Sequence, residues 1–252
     1  MKLSISTWCF SNCSIRKNLD MIEEFGFENI EFNLSSIERE PDATIQTVKS
    51  LIDERGLTCS TVHSAGFYAK SSDQIEDALD CGKRSVDFAQ TLSSTILVIH
   101  SYVSAKLNSQ LRRAILVDVL GELKDYSSAR GIELSLENLS RGSDGYGRSV
   151  TEVKNIFDIV DIGMTLDISH SHMISQTPAF LDLFKERINN IHVSNYNHRP
   201  IKKKVTPELR RIFQTLYEDG YDRPLTIEMH PKYQSKILDT KINIERFISS
   251  YV

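Results

Sequence analysis

The sequence has few cysteines and prolines, a single tryptophan and no long apolar run. Six prolines and eleven glycines in 252 residues exclude collagen-like and low-complexity classes. No apolar stretch approaches the ~20 residues that a membrane-spanning helix requires. A chain of this length buries enough surface to fold without disulfides. We therefore expect free thiols at the four cysteines, none of which forms a C-x-x-C pair: Cys9, Cys13, Cys59 and Cys81.

The sequence also lacks an excess of positive charge. It has 30 Lys and Arg residues against 34 Asp and Glu residues, a formal net charge of −4. This balance argues against a protein that coats nucleic acid, although it leaves room for a local basic patch. Serine and threonine interrupt residues 1–14, which therefore do not resemble a signal peptide. We expect a cytoplasmic protein that does not interact with membranes.

Short apolar or β-branched runs alternate with longer stretches of helical apolar spacing along the whole chain. Eight such units in roughly 250 residues are typical of a barrel. We predict an α/β fold, a single (β/α)8 TIM barrel domain over residues 1–252. A doubly wound sheet is the alternative, but no glycine-rich phosphate loop follows the first run. The predicted strands are Leu3–Thr7, Ile30–Leu34, Thr58–His63, Thr95–His100, Ile132–Glu137, Gly163–Asp167, Asn190–Val193 and Leu225–Met229.

Six consecutive predicted strands end in a side chain that can bind a metal. In a parallel barrel the carboxyl ends of all strands share one rim, so these side chains should converge. If three carboxylates and three imidazoles converge, the carboxylates repel one another and the imidazoles stay unpaired unless a cation is present. Mixed nitrogen and oxygen ligands suit Zn²⁺, Mn²⁺, Fe²⁺ or Co²⁺. The alternative is that each is an isolated polar residue bound to a neighbouring backbone group. The six are His63, His100, Glu137, Asp167, His192 and Glu228.

The order His, His, Glu, Asp-x-x-His, His, Glu resembles the xylose isomerase-like TIM-barrel superfamily. That superfamily includes sugar isomerases and epimerases and AP endonucleases of the endonuclease IV type. Residues 26–33 (GFENIEFN) are also similar to its second-strand segment. The resemblance implies one metal site with four ligands and a further ion at His63 and His100. The four ligands would be Glu137, Asp167, His192 and Glu228.

The resemblance implies a metal-dependent isomerase or epimerase acting on a small-molecule sugar or sugar phosphate. In such enzymes the metal stabilises an enediolate while a proton moves beside a carbonyl. Glu137 and Glu228 are the expected general acid–base pair, and both are also metal ligands. One or two divalent ions are expected, with zinc or manganese favoured over magnesium, cobalt or iron.

An AP-endonuclease-like phosphodiesterase acting on abasic DNA is the main alternative function. His63 and His100 support it. Against it stand the net charge of −4 and the lack of the family's Asp-x-His pair after His192. Asn195 also occupies a position where the family usually has Asp. A non-enzymatic or regulatory barrel that retains the six strand-end residues is a third possibility.

Several other side chains are candidates for contact with substrate, each with a structural alternative. His170 would hold a substrate hydroxyl or phosphate, or orient Asp167. Trp8 would form a pocket wall or simply pack in the interior. His230 would line the pocket or hydrogen-bond within the last loop. His172 and His198 are expected to be solvated or capping side chains on loops.

A basic run follows the seventh predicted strand. Such runs are usually solvated loops, but barrels often bind phosphate near loops seven and eight. Lys203 is therefore a further candidate for substrate binding, within the run Arg199, Lys202, Lys203 and Lys204. Phe67 and Tyr68 are candidates for a lid over the site.

Overall fold

The computed structural model describes residues 1–65 and 68–250, in which eight parallel strands form a closed barrel in sequence order. The last strand pairs with the first from Lys2–Pro224 to Ile5–Ile227, which closes the sheet. The predicted (β/α)8 TIM barrel is therefore confirmed. The strands are β1 (Lys2–Ser6), β2 (Asn29–Asn33), β3 (Thr58–His63), β4 (Ile96–Ile99), β5 (Glu133–Glu137), β6 (Gly163–Asp167), β7 (Ile188–Val193) and β8 (Pro224–Ile227).

Helices surround the barrel, and among the described residues none is long and apolar enough to cross a membrane. A π-helical turn at Leu116–Leu120 separates the fifth and sixth α-helices. The α-helices are α1 (Ile15–Glu24), α2 (Ser35–Arg39), α3 (Ile45–Glu54), α4 (Ile75–Thr91), α5 (Ser109–Ile115), α6 (Gly121–Ser128), α7 (Val150–Phe157), α8 (Ile168–His172), α9 (Thr177–Phe184), α10 (Pro207–Glu218) and α11 (Ile237–Ser249).

Local sequence explains where many helices begin and end. Ser149 and Thr206 precede α7 and α10, and each side chain accepts a hydrogen bond from the N–H three residues ahead. Gly220 follows α10 with a φ of +66°, a left-handed conformation that favours glycine. Gly163 is required for a different reason, the close approach of a neighbouring side chain. It begins β6, where a Cβ would clash with the side-chain amide of Asn189.

In most strands the two faces have opposite character, because successive side chains point to opposite sides. Apolar residues such as Phe32 and Leu97 are fully buried in the hydrophobic core that also includes the helices. The alternate residues point into the barrel and are unusually polar. Asn190, for example, donates to Glu31 Oε2 at 3.2 Å and accepts from Thr226 Oγ1 at 2.9 Å across the interior. The interior thus provides a hydrogen-bonded floor beneath the carboxyl ends of the strands.

Candidate metal centre at the barrel mouth

Four buried side chains at the carboxyl ends of β5 to β8 converge on one point. Glu137, Asp167, His192 and Glu228 each offer one ligand atom, and these atoms all lie within 4.8 Å of one another. Nδ1 of His192 is 3.2 Å from Glu228 Oε2, 3.5 Å from Glu137 Oε2 and 3.8 Å from Asp167 Oδ2. Ligands that share one ion at about 2.1 Å lie about 3.0–3.4 Å apart. The spacing of this four-residue centre therefore suits a divalent cation.

Two of these ligand atoms are buried without a hydrogen-bond partner among the described residues: Asp167 Oδ2 and His192 Nδ1. Nε2 of His192 lies 2.9 Å from Glu31 Oε2 and donates a hydrogen bond to that carboxylate. In the neutral ring, Nδ1 then has a lone pair directed at three carboxylate oxygens. Burying such groups unpaired is costly, and a cation between them removes the cost.

Glu31 is a buried carboxylate beside the site that the pattern of strand-end residues does not predict. It lies on β2, facing the barrel interior, and its Oε2 accepts hydrogen bonds from Thr61 at 3.0 Å, Asn190 at 3.2 Å and His192. A carboxylate behind a ligating imidazole fixes its tautomer and orientation. Glu31 lies within GFENIEFN, the segment that is similar to the second strand of the superfamily. The alternation along β2 could have shown that Glu31 points inward.

A second cluster joins His63 and His100 to the four-residue centre through Glu137. Their Nε2 atoms lie 3.0 Å and 3.2 Å from the same oxygen, Glu137 Oε2. His63 Nδ1 is 3.1 Å from the carbonyl oxygen of Ser64. Because a carbonyl only accepts, Nδ1 carries the proton, and Nε2 of the neutral ring presents a lone pair to the carboxylate. This cluster has the donor set for a further ion.

A third cluster consists of Asp167, His170 and His198. His170 Nδ1 lies 2.9 Å from the carbonyl oxygen of Asn138, and His198 Nδ1 lies 3.2 Å from that of Glu228. Both rings therefore carry their proton on Nδ1 when neutral. Their Nε2 atoms face each other at 3.1 Å, so two lone pairs meet unless a proton or a metal ion lies between them.

The expectation that His198 is a solvated or capping side chain is wrong. Its side chain is only 15% exposed, and its backbone N–H donates to Ser169 Oγ at 3.0 Å. Asn197 and His198 have φ values of 58° and 50°, a strained conformation for residues other than glycine. His198 is not part of an Asp-x-His pair, because Tyr196 stands in the place of the aspartate. His172, by contrast, points away and pairs with Glu208.

Charges in the site shift one another's pKa. Burial lowers the pKa of His63, but the hydrogen bond with Glu137 and the charge of that carboxylate raise it to about 9. Burial likewise lowers the pKa of His170, and the charge of Asp167 contributes to raising it to about 10. Burial raises the pKa of Glu228, whereas the imidazole of His192 brings it down to about 2. The carboxylates thus create a strong local preference for positive charge.

The predicted substrate-contact residues lie around this mouth at different depths. The ring of Trp8 packs edge-on against His198 at 5.5 Å and His230 at 5.9 Å between centroids. His230 is exposed, and its Nδ1 accepts a hydrogen bond from the Lys232 N–H at 3.2 Å, which matches the alternative of a bond within the last loop. His170 lies in the third cluster. Its backbone N–H donates to Asp167 Oδ1 at 2.6 Å.

Two further predictions concern loops at the rim. Tyr68 lines a cavity of about 360 Å³ together with His100, whereas Phe67 lies outside the described residues. Lys203 does not reach the centre. It lines a separate groove beside the mouth with Arg199 and Lys202, and Lys204 does not line that groove.

Comparisons with known proteins give a family and a fold. A model of the xylose isomerase-like TIM barrel family matches residues 19–247. No curated protein sequence matches the chain. The chain is similar to a solved 3-keto-D-glucoside 4-epimerase from E. coli, with a TM-score of 0.79 and 18% identity over 99% of both chains.

Two other solved structures show the same likeness. A D-tagatose 3-epimerase-like protein has a TM-score of 0.81 and 19% identity over 100% of both chains. The IolI protein with a bound zinc atom has a TM-score of 0.81 and 18% identity, over 100% of this chain and 99% of that one. At these identities the likeness shows that the fold is shared.

Replacing Glu31 tests whether the carboxylate behind His192 supports metal binding. We expect Glu31→Gln to weaken Zn²⁺ or Mn²⁺ affinity about 10–100-fold, because a neutral amide in place of the carboxylate holds the N–H of His192 less strongly and no longer fixes its tautomer. Competition with a chromophoric chelator measures the affinity, and Glu28→Gln, an exposed carboxylate in the same segment, is the control. Equal affinities for Glu31→Gln and the wild type, with unchanged melting temperatures, would contradict this role.

Proposed function

Because the chain belongs to the xylose isomerase-like TIM barrel family, we propose that it is a divalent-metal-dependent sugar isomerase or epimerase. The observation that carries the proposal is the four-residue centre, where two ligand atoms are buried without a partner among the described residues. Solved structures of the same fold that bear the names of sugar epimerases support the choice of reaction.

The donor set of the four-residue centre fits a divalent ion that accepts both nitrogen and oxygen ligands. Zinc and manganese are the preferred ions, and the zinc atom in the IolI structure supports this choice. Magnesium, cobalt and iron are the alternatives. When an ion is bound there, a substrate carbonyl is polarised and the C–H bond beside it becomes more acidic. A second ion would lie at His63, His100 and Glu137.

Glu137 and Glu228 are the proposed general acid–base pair. Glu137 ends β5 and Glu228 directly follows β8, and they lie 3.5 Å and 3.2 Å from His192 Nδ1. Epimerisation removes a proton from one face of a carbon and returns it to the other, which requires a group on each side. One carboxylate removes the proton beside the carbonyl, and the other delivers a proton to the opposite face.

Residues around the mouth would position the sugar. Trp8 is half-buried beside His198 and offers an apolar surface for the carbon skeleton. His170 would contact a substrate hydroxyl from the floor of the mouth. His230 is exposed next to Trp8 and would contact the part of the substrate that lies towards the solvent.

A phosphodiesterase of the endonuclease type, acting on abasic DNA, is the second candidate. The observation that favours it is that neighbouring clusters share carboxylates. Glu137 belongs to the four-residue centre and to the second cluster, and Asp167 belongs to the four-residue centre and to the third cluster. Multi-metal sites that clamp the attacking and leaving oxygens of a phosphodiester have this kind of arrangement. His198 completes a third cluster of a kind that an epimerase working with one ion does not need.

An assay in D₂O distinguishes the two functions. We expect the Mn²⁺- or Zn²⁺-loaded protein to interconvert one or more ketoses or their phosphates, and to incorporate deuterium at the carbon beside the carbonyl, because the proton exchanges on a carboxylate. NMR follows the exchange, an abasic-site duplex is tested in parallel, and metal-stripped protein is the control. Cleavage of the duplex without exchange on any sugar would overturn the first proposal.

Substitution of the two carboxylates tests their roles. Glu137→Gln and Glu228→Gln should each lower kcat by about 10²–10⁴-fold, because an amide cannot transfer the proton. The KM should change far less. Metal content is measured for each variant, since loss of the ion would lower kcat for a different reason, and Glu122→Gln on the surface of α6 is the control. An unaffected kcat in either variant would exclude that residue from proton transfer.

A further inference from the structure

A basic groove lies beside the mouth, between the loop that follows β7 and the C-terminal part of the chain. The groove has a volume of about 700 Å³, within the range of pockets that hold small ligands. Its charged lining consists of five cations and one carboxylate: Arg199, Lys202, Lys203, Lys236, Arg246 and Asp239. In a chain whose net charge is −4, this is a strong local concentration of positive charge.

Most of these cations have no carboxylate to neutralise them. Lys236 pairs with Asp239 at 3.2 Å. Arg199, Lys202 and Arg246 are exposed, and no carboxylate within the described part of the chain lies within ion-pair distance of them. Like charges held close together are unfavourable, so a groove of this kind attracts an anion. Arginine guanidinium groups in particular match the geometry of a phosphate.

The groove is a built feature rather than a chance gap between mobile side chains. Asn243 on α11 donates to the carbonyl oxygen of Ile201 at 3.0 Å, which ties the last helix to the loop. Ile201 itself is only 1% exposed. Asn195 and Arg199 are paired by two backbone hydrogen bonds, of 2.9 Å and 3.2 Å. The backbone that presents the cations is therefore fixed on both sides.

The groove adjoins the metal centre through the tight turn of residues 195–199. His198 points from this turn to His170 in the third cluster, while Arg199, the next residue, lines the groove. A row of rings connects the same two places. His198 contacts Trp8, Trp8 contacts His230, and His230 contacts Tyr233 on the wall of the groove, with centroids 5.5, 5.9 and 6.5 Å apart.

We propose that this groove binds the phosphate group of a phosphorylated sugar while the carbonyl end of the same molecule lies at the metal centre. The proposal rests on the proposed function and names its substrate class. A nucleic-acid backbone is the other polyanion to consider, but contacts to many phosphates need an extended basic face. Here the unpaired cations are gathered in one groove on an acidic chain, which fits a single phosphate.

The test compares a ketose with its phosphate on the metal-loaded protein. The variant Arg199→Gln/Lys202→Gln/Arg246→Gln removes three of the unpaired cations of the groove and keeps Lys203. We expect it to raise the KM for the phosphorylated ketose at least tenfold and to leave the kcat/KM of the unphosphorylated ketose within about twofold, because only the phosphorylated ketose loses charge-assisted hydrogen bonds to its phosphate. The matched controls are Lys204→Gln, next to the groove in sequence, and Arg211→Gln on the exposed face of α10.

A binding measurement separates failure of this proposal from failure of the proposed function. Calorimetry with the ketose phosphate requires no turnover, and the same variant should weaken its binding at least tenfold even if no ketose reacts. Equal affinity of the wild type for a ketose and its phosphate would overturn the proposal. So would an equal loss for both ligands in the variant, or a loss confined to an abasic-site duplex, which would indicate a nucleic-acid site instead.

Discussion

Three buried carboxylates share one small space at the mouth of the barrel, and their need for positive charge organises the residues around them. Glu137 illustrates this best, since Oε2 lies within 3.5 Å of three imidazoles and Oε1 lies 3.3 Å from a fourth. An isolated buried carboxylate costs several kcal/mol. Protonated histidines or bound cations compensate for that cost. Glu31 accepts the hydrogen bond from Nε2 of His192. Nδ1 of the same ring therefore faces the three carboxylates at the mouth.

Shared carboxylates also explain why one mouth fits two kinds of chemistry. In the proposed isomerase or epimerase, Glu137 and Glu228 would move the proton beside the substrate carbonyl while the four-residue centre holds an ion. With further ions at the neighbouring clusters, the same residues would resemble the multi-metal site of a phosphodiesterase, which stabilises the attacking and leaving oxygens. The basic groove next to Arg199 favours a ligand that carries a phosphate, and its confinement to one place favours a sugar over a long nucleic acid.

The sequence predicts the rim well because barrel geometry links sequence spacing to position. His63, His100 and the four-residue centre follow from one polar residue at the end of each strand. Glu31 could be assigned to the interior from alternation, but its imidazole partner depends on which strands face each other across the barrel. His198 was mispredicted for a different reason. It reaches the site through a left-handed turn at Asn197, φ 58°. Such turns are usually predicted from a glycine, and this one contains none.

The most direct test of a metal in the four-residue centre is anomalous diffraction from crystals grown with Zn²⁺ or Mn²⁺, measured at the absorption edge of that metal. We expect a peak about 2.0–2.2 Å from Nδ1 of His192 and from one oxygen each of Glu137, Asp167 and Glu228. Absence of a peak among these four atoms at saturating metal would contradict this expectation, because the buried lone pairs would then have to be satisfied by protons alone.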